Sequence, residues 1–146
     1  MNENIKEKIS ALADGELSEF EVRRVLDEIE KEPDLRNYWD LLQITRRSLI
    51  NEDFFELPTN DSPEQILMAQ SLKDTIYDAL SGLPEDTRTA LSLREFEGLN
   101  YEEIAEIMNC PVGTVRSRIF RGREALENLI SPITDKFKVM NNKEIV

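Results

Sequence analysis

The stretch Leu99–Leu126 reads LNYEEIAEIMNCPVGTVRSRIFRGREAL, and it defines the architecture of the C-terminal half of the chain. A short predicted helix, Tyr101–Met108, is followed by a tight turn, Asn109–Gly113, and by a second helix that begins at Thr114. Ala105 is small enough to let the second helix cross the first one closely. A short helix, a tight turn and a crossing second helix are the layout of a helix-turn-helix.

The second helix of this motif has an inward row and an arginine-rich outward surface. Val115 and Ile119 are four residues apart and are predicted to face the core, whereas the stretch from Thr114 to Arg123 holds four arginines and no acidic residue. A recognition helix enters the DNA major groove with its N-terminal residues near the base edges, and arginine binds both guanine and phosphate. The residues predicted to contact DNA are therefore Thr114, Arg116, Ser117, Arg118, Phe120, Arg121 and Arg123.

Position along the helix suggests a role for each side chain. Arg116 and Ser117 lie early enough to read bases. Arg118 and Arg123 point to the flanks and are better candidates for phosphate contacts. Phe120 is expected at an exposed position, where it could touch a thymine methyl group.

The same helix face also has a simpler interpretation. Arg121 lies one turn beyond Ser117, within reach of bases or backbone, but it could equally pair with Glu124 within the helix. Arg123–Glu127 is a second possible intrahelical pair, which would leave an ordinary solvated surface. At the turn, the lone Cys110 is interpreted as a small filler rather than a redox sensor.

Composition excludes several function classes. The 146 residues include one cysteine and no histidine, so there is no internal disulfide, and a structural zinc site would need carboxylate ligands. We predict neither metal nor cofactor. An enzyme is rejected, because the chain has no histidine, no glycine-rich phosphate loop and no carboxylate pair with acid–base spacing. No apolar run approaches the roughly 18 residues of a membrane span, and the N-terminus lacks a signal-peptide core, so a cytoplasmic protein without membrane contact is expected.

Charge is unevenly distributed along this acidic chain. The net charge is −12, and residues 1–61 hold 8 basic and 16 acidic residues against 10 and 14 in residues 62–146. A local basic stripe on an acidic protein can still bind DNA, but weakly and with strong dependence on salt.

Helix signals dominate the rest of the chain and predict an all-α fold. Residues 1–50 read as a small three-helix bundle, with Ser18 and Glu21 as a capping box at the start of the second helix. The third helix, from about Asp34 to Ile50, carries an apolar stripe. This core is thin for independent stability, so a partner surface is expected; the interface candidates are Leu35, Tyr38, Trp39 and Leu42, together with Phe54 and Phe55.

Residues 51–61 read as a linker before a second, four-helix domain at 62–135. Within the linker, the Phe54–Phe55 pair either pins it to a neighbouring core or acts as a docking plug. The second domain begins with helices at Ser62–Gly82 and Pro84–Glu97, and Leu91, Leu93 and Phe96 are predicted to be buried in the latter. Its last helix is expected to run from Thr114 to about Ile130, where Pro132 breaks it, leaving residues 136–146 as a frayed tail.

The C-terminal segment LPEDTRTALSLREFEGLNYEEIAEIMNCPVGTVRSRIFRGREAL resembles region 4 of extracytoplasmic-function sigma factors of the sigma-E/AlgU kind along its whole length. The turn CPVGTVRSRIFR carries the most specific part of that resemblance. The resemblance implies that Thr114, Arg116, Ser117, Phe120 and Arg121 meet the −35 promoter element. It also implies that the two helices before the helix-turn-helix dock on the flap of RNA polymerase core.

The N-terminal segment ISALADGELSEFEVRRVLDEIEKEPDLRNYWDLLQITRRSLI resembles the cytoplasmic domain of RseA/MucA-type anti-sigma factors. The resembling features are the opening SALADGEL, the acidic second helix and the Pro-Asp-Leu…Tyr-Trp run. In that family the domain wedges between sigma regions 2 and 4 without zinc. Here region 2 and the membrane helix of such anti-sigma factors are both missing, which departs from both families.

Two functions remain open from the sequence. The first is an anti-sigma domain fused to its target, masking region 4 by a contact within one chain or within a domain-swapped dimer. The second is an active helix-turn-helix regulator whose N-terminal domain serves sensing or dimerisation.

Overall fold

Every element that the structure describes is an α-helix, as the sequence predicts. The computed structural model describes residues 2–50 and 63–145, and these residues form seven helices and no strand. The predicted linker, with Phe54 and Phe55, lies outside the described residues. The helices are α1 (Asn2–Ala13), α2 (Glu19–Lys31), α3 (Pro33–Ile50), α4 (Pro63–Gly82), α5 (Glu85–Glu95), α6 (Tyr101–Met108) and α7 (Val112–Ile145).

Helix starts and turns follow local chemistry. The Ser18 hydroxyl accepts a hydrogen bond from the backbone N–H of Glu21 at 3.3 Å, which caps α2. Asn100 and Glu103 form a complete capping box at α6. The turn of the helix-turn-helix places Asn109 in the left-handed region, at φ 52°, where asparagine is tolerated better than most residues.

The predicted end of the last helix is wrong. α7 continues through Pro132 to Ile145, so the segment expected to be a frayed tail belongs to this helix. A proline inside a helix removes one backbone donor and crowds the preceding turn, whereas the residues on both sides retain their own hydrogen bonds. Here those neighbours are sufficient to continue the helix.

The N-terminal and C-terminal helices share a main core. Ala11 of α1 and Leu41 of α3 are buried in it among residues of α4–α7, and Leu17 and Ile44 pack against its edge. The main core consists of Ala11, Leu41, Ile76, Leu80, Ala90, Leu91, Tyr101, Ile104, Ala105, Val115, Ile119 and Leu126.

A second cluster, the N-terminal core, receives one residue from the C-terminal half. Phe120 of α7 is buried in it, and Trp39 packs against it with part of its ring exposed. Three of the predicted interface residues thus lie in a core that α7 completes. The N-terminal core consists of Ile9, Val25, Leu35, Tyr38, Leu42 and Phe120.

Two aromatic residues lie outside these cores. Phe96, which the sequence pattern predicts to be buried, is 48% exposed, because it is the C-cap of α5 and lies beyond its last full turn. Phe20 at the start of α2 is 70% exposed. None of the helices within 2–50 and 63–145 combines the length and apolarity needed to span a membrane.

Candidate nucleic-acid interface

The first half of α7 presents three rows of side chains with different surroundings. Each row follows the alternating four- and three-residue spacing that keeps side chains on one face of a helix. The inner row faces the main core and comprises Val115, Ile119, Gly122 and Leu126. The covered row faces the N-terminal helices and comprises Arg116, Phe120, Arg123 and Glu127. The open row comprises Thr114, Ser117 and Arg121.

The strongest contact of the covered row is made to Asp14, the residue that follows α1. The Asp14 carboxylate is fully buried and accepts two hydrogen bonds of 2.8 Å from Arg123. It also accepts hydrogen bonds from Arg46 at 2.7 Å, from Arg94 at 2.9 Å and from the Tyr101 hydroxyl. One carboxylate of the N-terminal half therefore binds three helices of the C-terminal half.

Arg123 is almost completely buried and has partners on all sides. It donates to the backbone oxygen of Ser10 at 3.0 Å and to the Ser10 hydroxyl at 2.8 Å. It also pairs with Glu95 of α5, which is itself buried and lies 3.5 Å from Arg46. A buried guanidinium is tolerated here because both of its terminal nitrogen atoms donate to acceptors.

Mutual charge stabilises the ionised forms of this pair. Burial by itself raises the pKa of Asp14, but Arg123, Tyr101 and Arg94 outweigh it, so the pKa lies below its ordinary value of 3.8. Burial likewise lowers the pKa of Arg123, and the neighbouring Asp14 and Glu95 carboxylates reverse the shift, so its pKa is raised. Asp14 and Arg123 are therefore both charged around neutral pH.

Weaker contacts flank the Asp14 cluster, which consists of Asp14, Arg46, Arg94, Glu95, Tyr101 and Arg123. Glu7 of α1 lies 3.8 Å from Arg116, with both side chains about one-third exposed. Glu16 accepts a 2.9 Å hydrogen bond from the backbone N–H of Tyr101, the first residue of α6. A carboxylate at a helix N-terminus satisfies a free donor and opposes the positive end of the helix dipole.

Sequence reasoning missed Asp14, Glu95 and Arg94 as site residues. One local signal existed, because an acidic residue at the C-terminal end of α1 conflicts with the negative end of the helix dipole. Such a conflict between local preference and position is typical of a residue held by a distant partner. Glu95 and Arg94 carry no comparable signal in an acidic chain with many surface charges.

Two of the seven residues predicted to contact DNA are buried in this structure. Phe120 is 7% and Arg123 is 4% exposed, so their expected exposure is wrong. The sequence pattern predicts an exposed Phe120 and an Arg123 on a flank, whereas both side chains lie on the face of α7 that the N-terminal helices cover. The suggested Arg123–Glu127 pair is also replaced, because Arg123 binds Asp14 and Glu95 instead.

Arg118 is engaged within the C-terminal half. Its guanidinium lies 3.5 Å from the exposed Asp86 carboxylate and donates to the Cys110 sulfur at 3.6 Å. Cys110 is half-buried and packs against the main core, consistent with its interpretation as a filler.

The open row lies beside the covered row, and the structure describes no polar contact between it and the N-terminal helices. Among the described residues, Thr114, Ser117 and Arg121 form no hydrogen bond or ion pair with α1–α3. Arg121 is exposed, and the other two are half-buried. The N-terminal helices thus engage one face of the candidate recognition helix and leave the adjacent face open.

Comparison with known proteins agrees with the geometry of the C-terminal half. Residues 73–126 match the family described as Sigma-70, region 4. A 73-residue stretch, 50% of this chain, is 58% identical to the ECF RNA polymerase sigma-E factor of Haemophilus influenzae and covers 39% of that protein.

Two further relatives show the same pattern. An 85-residue stretch, 56% of the chain, is 52% identical to the RNA polymerase sigma-H factor of Pseudomonas aeruginosa and covers 44% of it. A 72-residue stretch, 49% of the chain, is 53% identical to the ECF RNA polymerase sigma-E factor of Escherichia coli and covers 38% of it. The chain therefore spans about two-fifths of the length of these curated relatives.

The matched family range begins within α4 and excludes α1–α3. The C-terminal part of this chain is therefore similar to region 4 of sigma-70 factors and to the matching part of ECF sigma factors of the sigma-E type.

Proposed function

We propose that this protein is a transcription regulator in which an anti-sigma-like domain, residues 1–50, clamps a sigma region 4 domain, residues 62–135. Released region 4 would read the −35 promoter element through α7 and dock on the flap of RNA polymerase core through α4 and α5. In the clamped state both surfaces are masked. The observation that carries this proposal is the buried pair between Asp14 and Arg123.

In the clamped state the DNA-binding surface would be masked because two side chains of the covered row already contact the N-terminal helices. The residues expected to reach a thymine methyl and a phosphate, Phe120 and Arg123, are taken up by an apolar core and by a carboxylate. The Asp14 carboxylate offers Arg123 the same bidentate acceptor geometry as a phosphate. DNA and the N-terminal helices therefore compete for the same side chains.

The polymerase-binding surface of α4 and α5 would be masked by α3. This helix packs against α4, α5 and α7, and it contributes Leu41 to the main core. The flap of polymerase and α3 would meet the same pair of helices. Two protein surfaces cannot occupy those helices at once.

The short connection between the domains favours closure. Residues 51–61 join them, and a tether of this length gives an effective concentration on the order of millimolar. Exchange of the N-terminal domain between two chains would make the same contacts in a swapped dimer.

The test is Asp14→Asn in the full chain, which removes the carboxylate charge while keeping the shape of the side chain. Binding to a −35-like duplex is measured by fluorescence anisotropy, and capture by an isolated flap domain is measured in parallel. The variant is expected to bind both partners more tightly than the natural chain. Asp27→Asn on exposed α2 is the matched control, because Asp27 pairs with its own helix neighbour Lys31 and not with the C-terminal half that the structure describes.

The two binding measurements test the two masked surfaces separately. Equal duplex affinity of the natural chain and Asp14→Asn would contradict masking of the DNA surface. Equal flap capture would contradict masking of the polymerase surface. Circular dichroism of both variants checks that the helices remain folded.

A second candidate function is favoured by the open row. Because Thr114, Ser117 and Arg121 have no polar partner among the described residues of α1–α3, the chain could act as a helix-turn-helix regulator without release. That function predicts tight, specific duplex binding by the natural chain. It also predicts the same loss on Arg121→Ala in the natural chain and in Asp14→Asn.

A further inference from the structure

The covered row ends at Glu127, and its surroundings differ from those of Arg123. Among the described side chains, the buried oxygen atoms without a hydrogen-bond partner are Tyr38 Oη on α3 and Glu127 Oε2 on α7. They lie on opposite sides of the contact between the two domains. Tyr38 is only 2% exposed, so its hydroxyl is enclosed by the same contact.

Three charged groups surround this pair. Lys6 of α1 lies with its Nζ 5.2 Å from the centroid of the Tyr38 ring, and its charge also acts on Glu127. Glu124 lies one turn before Glu127 on α7 and repels it. Arg123 acts on Tyr38 from the side of the Asp14 cluster. One lysine thus faces two carboxylates at this edge of the contact.

An ionised carboxylate is poorly accommodated at this position. Burial and the charge of Glu124 raise the pKa of Glu127, and Lys6 only partly opposes them. Burial, followed by the charge of Glu127, raises the pKa of Tyr38, so the phenol remains neutral. Neither side chain supplies the other with a hydrogen bond in this arrangement.

We infer that closure of the two domains takes up a proton at Glu127, so that a fall in pH tightens the clamp at the edge where Lys6, Tyr38 and Glu127 lie. A protonated Glu127 carries no charge to desolvate, so the buried Oε2 atom is accommodated at a lower cost. In an opened chain Glu127 lies on a solvated helix face and has its ordinary pKa. The inference rests on the proposed clamp, because it needs a state in which α7 leaves α1 and α3.

The direction of the pH effect follows from linkage. A carboxyl group whose pKa is raised by closure stabilises the closed state fully below its ordinary pKa of 4.5. That contribution is lost as pH rises through the raised pKa. Each unit of difference between the two pKa values changes the closure constant by about tenfold.

Two residues of the natural sequence can serve as a donor and an acceptor position for energy transfer. Trp39 on α3 is the single tryptophan, and Cys110 at the turn of the C-terminal domain is the single cysteine. A thiol-reactive acceptor on Cys110 then reports separation of the domains by energy transfer from Trp39. The closed fraction is followed in urea titrations of the labelled full chain at a series of pH values from 8.0 down to the ordinary glutamate value of 4.5.

For the natural chain, the urea concentration at which half of the molecules are open should rise as pH falls. Glu127→Gln, which carries no charge at any pH, should be closed more tightly at pH 8.0 and should lose the rise. Glu124→Gln is the matched control, because it removes a neighbouring charge one turn away and keeps the titrating group. Because burial is the larger cause of the raised pKa, this variant should retain a pH response, reduced by the loss of the Glu124 charge.

Two results would overturn the inference. If the natural chain and Glu127→Gln have the same pH response, Glu127 takes up no proton on closure. That result would not contradict the clamp itself. Low energy transfer at every pH without urea would show that the domains do not dock. That second result would overturn the proposed function as well.

Discussion

Arg123 of α7 donates two hydrogen bonds of 2.8 Å to Asp14, the residue that follows α1. The two residues are 109 positions apart in the chain. Both side chains are buried away from solvent in this arrangement. A buried pair of this kind is tolerated only while both partners are present, because each charge compensates the desolvation of the other. The stability of the contact between the domains should therefore depend steeply on either residue.

Replacement of Asp14 is the most direct test of that dependence. Asp14→Asn leaves Arg123, Arg94 and Arg46 facing a neutral group, and we expect it to destabilise the closed state by about 3–5 kcal/mol. Urea titration followed by energy transfer from Trp39 to a label on Cys110 measures the change. Asp27→Asn should leave the midpoint unchanged, and equal midpoints of the two variants would contradict a central role for Asp14.

Phe120 should matter to the stability of the N-terminal domain, although it belongs to α7. Phe120→Ala removes a ring from the N-terminal core, and we expect a loss of about 3–5 kcal/mol in unfolding free energy. Urea unfolding followed by Trp39 fluorescence, together with amide exchange in α3, measures it. Phe20→Ala deletes an exposed ring of the same size and should have little effect. Protection of α3 that survives Phe120→Ala would argue against the shared core.

Strong acid should open the clamp through Asp14. Because its pKa is lowered in the closed state, its contribution is present above the ordinary value of 3.8 and is lost as pH falls through the lowered pKa. Energy transfer between pH 5 and pH 2 should therefore decrease in the natural chain. Asp14→Asn lacks this group, so its remaining transfer should depend less on pH over the same range. The effect is opposite in sign to that of Glu127, which acts at higher pH.

The open row should provide specific DNA contacts once the clamp is released. In the Asp14→Asn background, Arg121→Ala should weaken binding to a −35-like duplex by roughly 1–3 kcal/mol if Arg121 reads bases. Arg116→Ala should do the same, because its contact with Glu7 is lost on opening. Arg88→Ala on α5 is the control, since Arg88 is exposed and donates to the Ser81 carbonyl of α4. Unchanged affinity and salt dependence for both test variants would contradict recognition by α7.

The sequence predicts much of the local structure because local interactions produce it. The Ser18 cap, the tight turn at Asn109 and the inward Val115–Ile119 row all depend on neighbours within a few residues. The helical class of the chain follows from the same signals. Pro132 is an exception, because the helix on both sides of it continues despite the local break.

For the candidate site, the sequence predicts the spacing of the side chains, and the tertiary structure decides what they contact. Helix geometry fixes the spacing of side chains, so the sequence alone is enough to place Arg116, Phe120 and Arg123 on one face of a helix. Long-range packing settles two further points: this face is covered, and Arg123 binds Asp14. Periodicity shows which side chains lie together but not which distant segment packs on them, because burial of apolar surface is non-directional. The pairing of segments depends instead on how Phe120, Leu41 and the Asp14 carboxylate fit together across the whole chain.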